Sequence, residues 1–100
     1  MIYIYVMRNR LLSAYEIPVF DECDKDSYRF KLQKGIILDP DTAKKYHFDE
    51  TELYYLGKFD VLTCQFDLLD KPEFLLDCGD VYRRRRADYP DGDKNGSEKN

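Results

Sequence analysis

The sequence predicts an α+β fold: a small antiparallel sheet from two β-hairpins, one main helix across it, and a disordered C-terminal tail. Three observations carry this expectation. Apolar and aromatic residues recur in short extended runs around turn-forming residues, once near the N-terminus and again over residues 52–68. Between these regions an acidic start leads into a mixed apolar and basic stretch, the signature of a helix. After Tyr82 only Ala87 and Tyr89 are apolar, and such a composition cannot offset the entropy lost on ordering. One domain over 1–82 and a disordered charged tail over 83–100 follow.

In chain order, Ile2, Ile4 and Val6 alternate with Tyr3, Tyr5 and Met7, and nothing in the run is strongly polar. A strand buried on both sides, or packed in an oligomer, reads this way. Arg8-Asn9-Arg10 marks a turn, and Leu12 to Phe20 resumes extended character, with Tyr15, Ile17 and Val19 on one face and Pro18 restricting it to an edge. This is the first hairpin. The acidic run from Asp21 to Asp26 suits a helix N-terminus. Residues 27–34 fit a short helix closed by Gly35 as its C′ residue, although the alternation of Tyr28, Phe30 and Leu32 also fits a strand.

Ile36-Ile37-Leu38 leads to Asp39-Pro40-Asp41, a turn with a helix N-cap, and one helical turn is expected over Thr42 to Tyr46. Glu52 to Asp60 is strand-like, with Gly57 marking a bulge or a close backbone approach. Val61-Leu62-Thr63 connects it to a returning strand, Cys64 to Leu68, completing the second hairpin. From Pro72 a segment reaching Val81 is expected to cover one open side of the sheet with Phe74, Leu75 and Leu76.

Composition narrows the function. A chain of 100 residues supplies one thin core, and with nine tyrosines among its aromatics some rings should lie half-exposed at a surface or a homo-oligomer seam. No run approaches the roughly 18 apolar residues of a membrane span. The apolar N-terminus has neither a preceding basic region nor a small-residue cleavage site, so a cytoplasmic protein without membrane attachment is expected. Cys23, Cys64 and Cys78 are odd in number and widely spaced, reading as three reduced thiols, and His47 is the only histidine. Asp91 to Gly96 opens like a calcium loop but has no acid at its twelfth position, and the acidic run at 21–26 is explained by a helix start. No catalytic, metal or cofactor site is therefore expected, and the function should be binding.

Charge points to where binding would occur. Residues 1–82 carry ten Lys/Arg against sixteen Asp/Glu, a net of −6, whereas 83–100 carry six against four. An acidic body repels a polyanion and a basic cluster attracts one. Arg83, Arg84, Arg85 and Arg86 are the candidate phosphate contacts, with Tyr82 and Tyr89 placed to stack on a base. The alternative is a solubilising tail that pairs with the acidic body.

Three segments in order carry a family resemblance. Ile2 to Val6 is followed by Tyr15-Glu16-Ile17-Pro18-Val19-Phe20, an aromatic–x–x–Pro–x–Phe approach to an acidic helix start. Ser27-Tyr28-Arg29-Phe30 stands where an Arg–x–Phe helix is placed. Tyr46 to Asp60 has the pattern of a tyrosine, an acidic turn and Leu-Tyr-x-x-Gly-x-Phe-Asp. In these, and in Pro72 to Tyr82, the chain resembles the small nonstructural protein of gokushovirus-type microviruses, the single-stranded-DNA phages that include the chlamydiaphages. It departs at His47, where that family usually has proline, and at Cys64, where it often has glycine. The resemblance implies a DNA-binding, non-enzymatic protein in the host bacterial cytoplasm that helps switch double-stranded replication to single-stranded genome synthesis for packaging. It assigns no individual DNA contact and does not reach the basic tail. The alternative function is an adaptor capturing a phage or host protein through a tyrosine-rich surface.

Overall fold

The computed structural model describes residues 1–88, with side chains to Arg84. Its elements are β1 (Ile2–Asn9), β2 (Ala14–Tyr15), β3 (Val19–Asp21), α1 (Lys25–Leu38), α2 (Pro40–Lys45), a 3₁₀ turn (Phe48–Glu50), β4 (Thr51–Asp60), β5 (Gln65–Asp77) and α3 (Cys78–Asp88). The sheet is antiparallel in the order β2-β1-β4-β5, and β3 pairs with β1 further along the edge that β2 occupies. Both expected hairpins are present, and the helices lie on one side of the sheet. Among the described residues no helix is long and apolar enough to cross a membrane.

Strand alternation divides the sheet into two faces. Tyr5, Leu53, Tyr55 and Leu75 form a core with Ile36 of α1, Ala43 of α2, and Cys78, Val81 and Tyr82 of α3. In α1, Tyr28, Leu32 and Ile36 recur at four-residue spacing and meet this face, where the Tyr28 ring stacks on Tyr5 at 4.1 Å. The buried Tyr5 hydroxyl donates to the Cys23 carbonyl, so the phenol that stacks on α1 also fixes the loop before it. Ile4 and Val6 are buried as well, but they alternate onto the opposite face, which no helix among the described residues covers.

The helix alternative for 27–34 holds, but α1 continues past the expected stop at Gly35 to Leu38. Asp24 caps its N-terminus, accepting from the Ser27 N–H at 2.9 Å. Its end is set by Asp39, which precedes Pro40, disfavours helical backbone for that reason, and caps α2 through the Thr42 N–H.

Gly57 marks both a bulge and a close approach. β1 pairs Ile4 with Gly57 and Tyr5 with Tyr55, so Leu56 is the extra residue. Gly57 has φ of +144°, and a Cβ there would lie 2.8 Å from Leu68 Cα and closer still to the Asp67 carbonyl oxygen.

Two boundaries differ from expectation. The segment after Pro72 does not cover the sheet; β5 continues through it to Asp77. Gly57 pairs with Leu68 and Tyr55 with Glu73, so the ladder is interrupted across residues 69–72, and β5 is an edge strand where proline is tolerated. α3 also runs across the expected boundary at 83, with helical backbone to Asp88. Val81 and Tyr82 dock the helix in the core, and an Arg84–Asp80 pair at i,i+4 supports it. Residues 89–100, including Tyr89 and the calcium-loop-like 91–96 segment, lie outside the described residues.

Candidate nucleic-acid interface

β5 runs directly into α3. Asp77, the last strand residue, accepts from the Asp80 N–H at 3.0 Å and so acts as the helix cap, while Asp80 adds negative charge to the first turn. Gly79 lets this turn press on the 3₁₀ segment: a Cβ there would meet the Asp49 carbonyl oxygen at 2.5 Å and the Arg10 guanidinium at 2.6 Å. Cys78 is fully buried, and burial pushes its thiol up to about 12, so it is a neutral packing group. The inner face of α3 is thus committed to the core.

The outer face carries charge. Arg83 and Arg84 are exposed, and the Arg84 Nε lies 3.0 Å from Asp80 Oδ2 with both side chains largely in solvent. Exposed i,i+4 pairs of this kind contribute only about 0.3–0.5 kcal/mol, so a phosphate can displace the carboxylate. Four consecutive helical residues are spread around most of the helix axis rather than along one stripe.

Arg10 joins this corner although sequence spacing gave no sign of it. It leaves the end of β1, pairs with Asp77 at 3.4 Å, and reaches the same Gly79 backbone that the Arg83 guanidinium approaches. Lys44 lies on the neighbouring 3₁₀ segment's carboxylate, 2.7 Å from Asp49 Oδ2, and this hydrogen bond raises its pKa above the usual lysine value. Asp49 is itself buried, and its Oδ1 has no hydrogen-bond partner among the described residues.

Tyr82 does not offer a ring for stacking. It is 8% exposed and belongs to the core, because helical phase at 78, 81 and 82 points the same way. Backbone placement of Arg85 and Arg86 is helical, and Tyr89 lies outside the described residues. Among the described residues no three His, Cys, Asp or Glu side chains gather as a metal site.

A second surface is the helix-free face of the sheet. Tyr15, Tyr54 and Phe74 form one row of rings across it, with centroids 5.8 Å apart at each step. Phe20, Phe59 and Phe66 form a cluster further along, with Phe59 and Phe66 at 4.8 Å. This face owes its aromatic character to phenylalanine as much as to tyrosine, since Tyr3, Tyr5, Tyr28, Tyr55 and Tyr82 all belong to the helix-side core or pack against it. Compared with known proteins, the chain matches no family model, no curated protein and no solved structure.

Proposed function

We propose that this is a non-enzymatic, nonstructural phage protein that binds DNA, single-stranded above all, and assists the change from double-stranded replication to single-stranded genome synthesis and packaging in the bacterial cytoplasm. The observation that carries the DNA reading is the exposure of Arg83 and Arg84 on a helix whose inner face is anchored in the core, with Arg10 beside them. Guanidinium groups held on a rigid element contact phosphate at little entropic cost. The replication role is supported by the family resemblance. Backbone geometry bears on that resemblance at two positions. Cys64 has φ of +61°, a conformation that suits the glycine often found there, whereas His47 at +63° cannot be replaced by proline, whose φ is fixed near −65°. The turn at His47 thus departs from the pattern in backbone as well as in residue type.

Titration of a labelled single-stranded oligonucleotide at about 50 and 200 mM salt tests the reading, because neutralising each phosphate on a single strand adds about 0.7 to the slope of log affinity against log salt. The full chain should bind more weakly at the higher salt. An Arg83→Gln/Arg84→Gln variant should lose about 1.4 from the slope. Absent or salt-insensitive binding by the full chain removes the proposal.

A second reading, an adaptor for a phage or host protein, is favoured by the half-exposed rings of the open sheet face and by the net −6 of residues 1–82. It predicts negligible DNA affinity and capture of a specific protein, lost on replacing Phe66 and Phe74 with serine.

A further inference from the structure

We propose that the helix-free face of the sheet is the interface of a homodimer, formed by a second copy of this chain packing its own sheet against it. This goes beyond DNA binding and does not depend on it.

A sheet that is apolar on both sides needs cover on both. Among the described residues the helices cover one side only. On the other, Tyr15, Phe20, Phe66, Leu68 and Phe74 are 51%, 52%, 56%, 58% and 54% exposed. The strand register places them together: Phe20 opposite Ile4, Ile4 opposite Gly57, Gly57 opposite Leu68, and Phe66 opposite Phe59. Ile4 and Val6, buried on the same face, form its floor.

The rings are arranged for packing against protein. Tyr15–Tyr54, Tyr54–Phe74, Phe20–Phe59 and Phe20–Phe66 meet at 71°, 77°, 87° and 71°. This edge-to-face interlock is typical of protein interiors. Base stacking instead requires ring faces presented outward in succession. Charge argues the same way. Among the residues that the ladders pair on this face, charge gathers at one end, where Arg8 and Glu52 stand 3.9 Å apart and Asp77 lies opposite Glu52. A phosphate chain finds no cation among the other ladder-paired residues of this face, whereas an end holding both signs can meet its own copy with opposite charges facing, as an isologous contact requires.

The area is of the right order. An aromatic side chain buries roughly 200 Å², so each half-exposed one leaves about 100 Å². The five residues together leave about 500 Å², and the partly exposed rings of Tyr54 and Phe59 add to it. That approaches the roughly 800 Å² per partner of a standard specific interface and lies at the upper end of the largest patch carried by ordinary monomers, about 300–600 Å². Because α3 packs on the opposite side of the sheet, dimerisation leaves Arg83 and Arg84 accessible.

Sedimentation equilibrium of the full chain without DNA tests the proposal. The expected mass is twice the 12.0 kDa of the chain, dissociating on dilution. Leu68→Glu and Phe74→Glu place charge on the face at exposed positions and should raise the dissociation constant at least about thirtyfold, as for a central interface residue, with far-UV circular dichroism unchanged. Leu62→Glu, at the tip of the β4–β5 turn and 92% exposed, should leave the mass unaltered. A wild-type chain that stays monomeric at about 100 μM, where even a weak specific dimer is populated, overturns the proposal. So does a dimer that both face variants leave intact, or one that Leu62→Glu disrupts equally.

Discussion

Replacing Gly57 with alanine should remove a large part of the protein's stability, although the change adds one methyl group. Two costs combine. At φ of +144° an L-residue is strained, and backbone held in such a region costs about 1–3 kcal/mol. The new Cβ would also lie 2.8 Å from Leu68 Cα and still nearer the Asp67 carbonyl oxygen. Both obstacles are backbone, so β5 must move away and give up one or two ladder hydrogen bonds at about 1 kcal/mol each. The total is about 2–5 kcal/mol against the roughly 5–13 kcal/mol expected of about 90 residues. With a urea m-value of about 1.5 kcal/mol/M, the unfolding midpoint should fall by about 1–3 M. Gly35→Ala is the control. It lies inside α1 with nothing within 4 Å of the new Cβ, and glycine in a helix interior costs about 1 kcal/mol relative to alanine. Its midpoint should therefore rise. A Gly57→Ala midpoint within about 0.3 M of wild type, well below the shift worked out above, would refute the bulge geometry.

Cys64→Gly should stabilise the protein. The left-handed backbone at φ of +61° costs an L-residue about 1–2 kcal/mol, which glycine's extra unfolded-state freedom only partly cancels, at about 0.5–1 kcal/mol. A gain near 0.5–1 kcal/mol raises Tm by about 2–8 °C; calorimetry showing a lower Tm contradicts the turn. Acid should destabilise the fold through its caps. Backbone hydrogen bonding from Ser27 holds the Asp24 carboxyl below its usual range, and the Thr42 hydroxyl and N–H do the same for Asp39. Their folded pKa values lie below the unfolded ones, so this stabilisation is complete above about pH 4–5 and is lost as pH falls through the folded values. Asp24→Asn keeps an acceptor but cannot titrate, and Tm measured from pH 7 to pH 2 should fall less steeply; an unchanged slope would show that the cap is not linked to protonation. Thiol labelling of the native chain should modify exposed Cys64 readily and spare Cys78, whose burial excludes reagent and thiolate alike. Equal rates would mean that α3 is not docked.

Local chemistry made much of this fold legible. The acidic run before residue 25 marked the start of α1, Asp39 before Pro40 marked the cap of α2, and Gly57 within a strand-like run marked the bulge. What local chemistry could not show was which of two neighbours wins. Gly35 has the composition of a helix stop, but Ile36 completes the row formed by Tyr28 and Leu32, and its burial carries the helix onward. Pro72 reads as the start of a separate covering segment, yet it falls where the β4–β5 ladder is already interrupted on an edge, and the strand continues past it. The charged stretch after Tyr82 reads as disordered by composition, while burial of Val81 and Tyr82 docks the start of α3 and sets the phase of Arg83 and Arg84. The candidate site was half legible for the same reason. The arginine run is visible to inspection, whereas Arg10 reaches it only through the pairing of β1 with β4, of β4 with β5, and the passage of β5 into α3. Tyr82 beside the arginines has the composition of a stacking ring, and the helical phase that turns it inward cannot be seen where no helix is expected.

Amide chemical-shift mapping of the full chain during titration with a short single-stranded oligonucleotide discriminates most directly between the two surfaces. DNA contact through α3 predicts the largest shifts at Arg83, Arg84 and Arg10, with Tyr15, Phe66 and Phe74 unmoved. Shifts confined to those three rings, or none at all at saturating oligonucleotide, would contradict it.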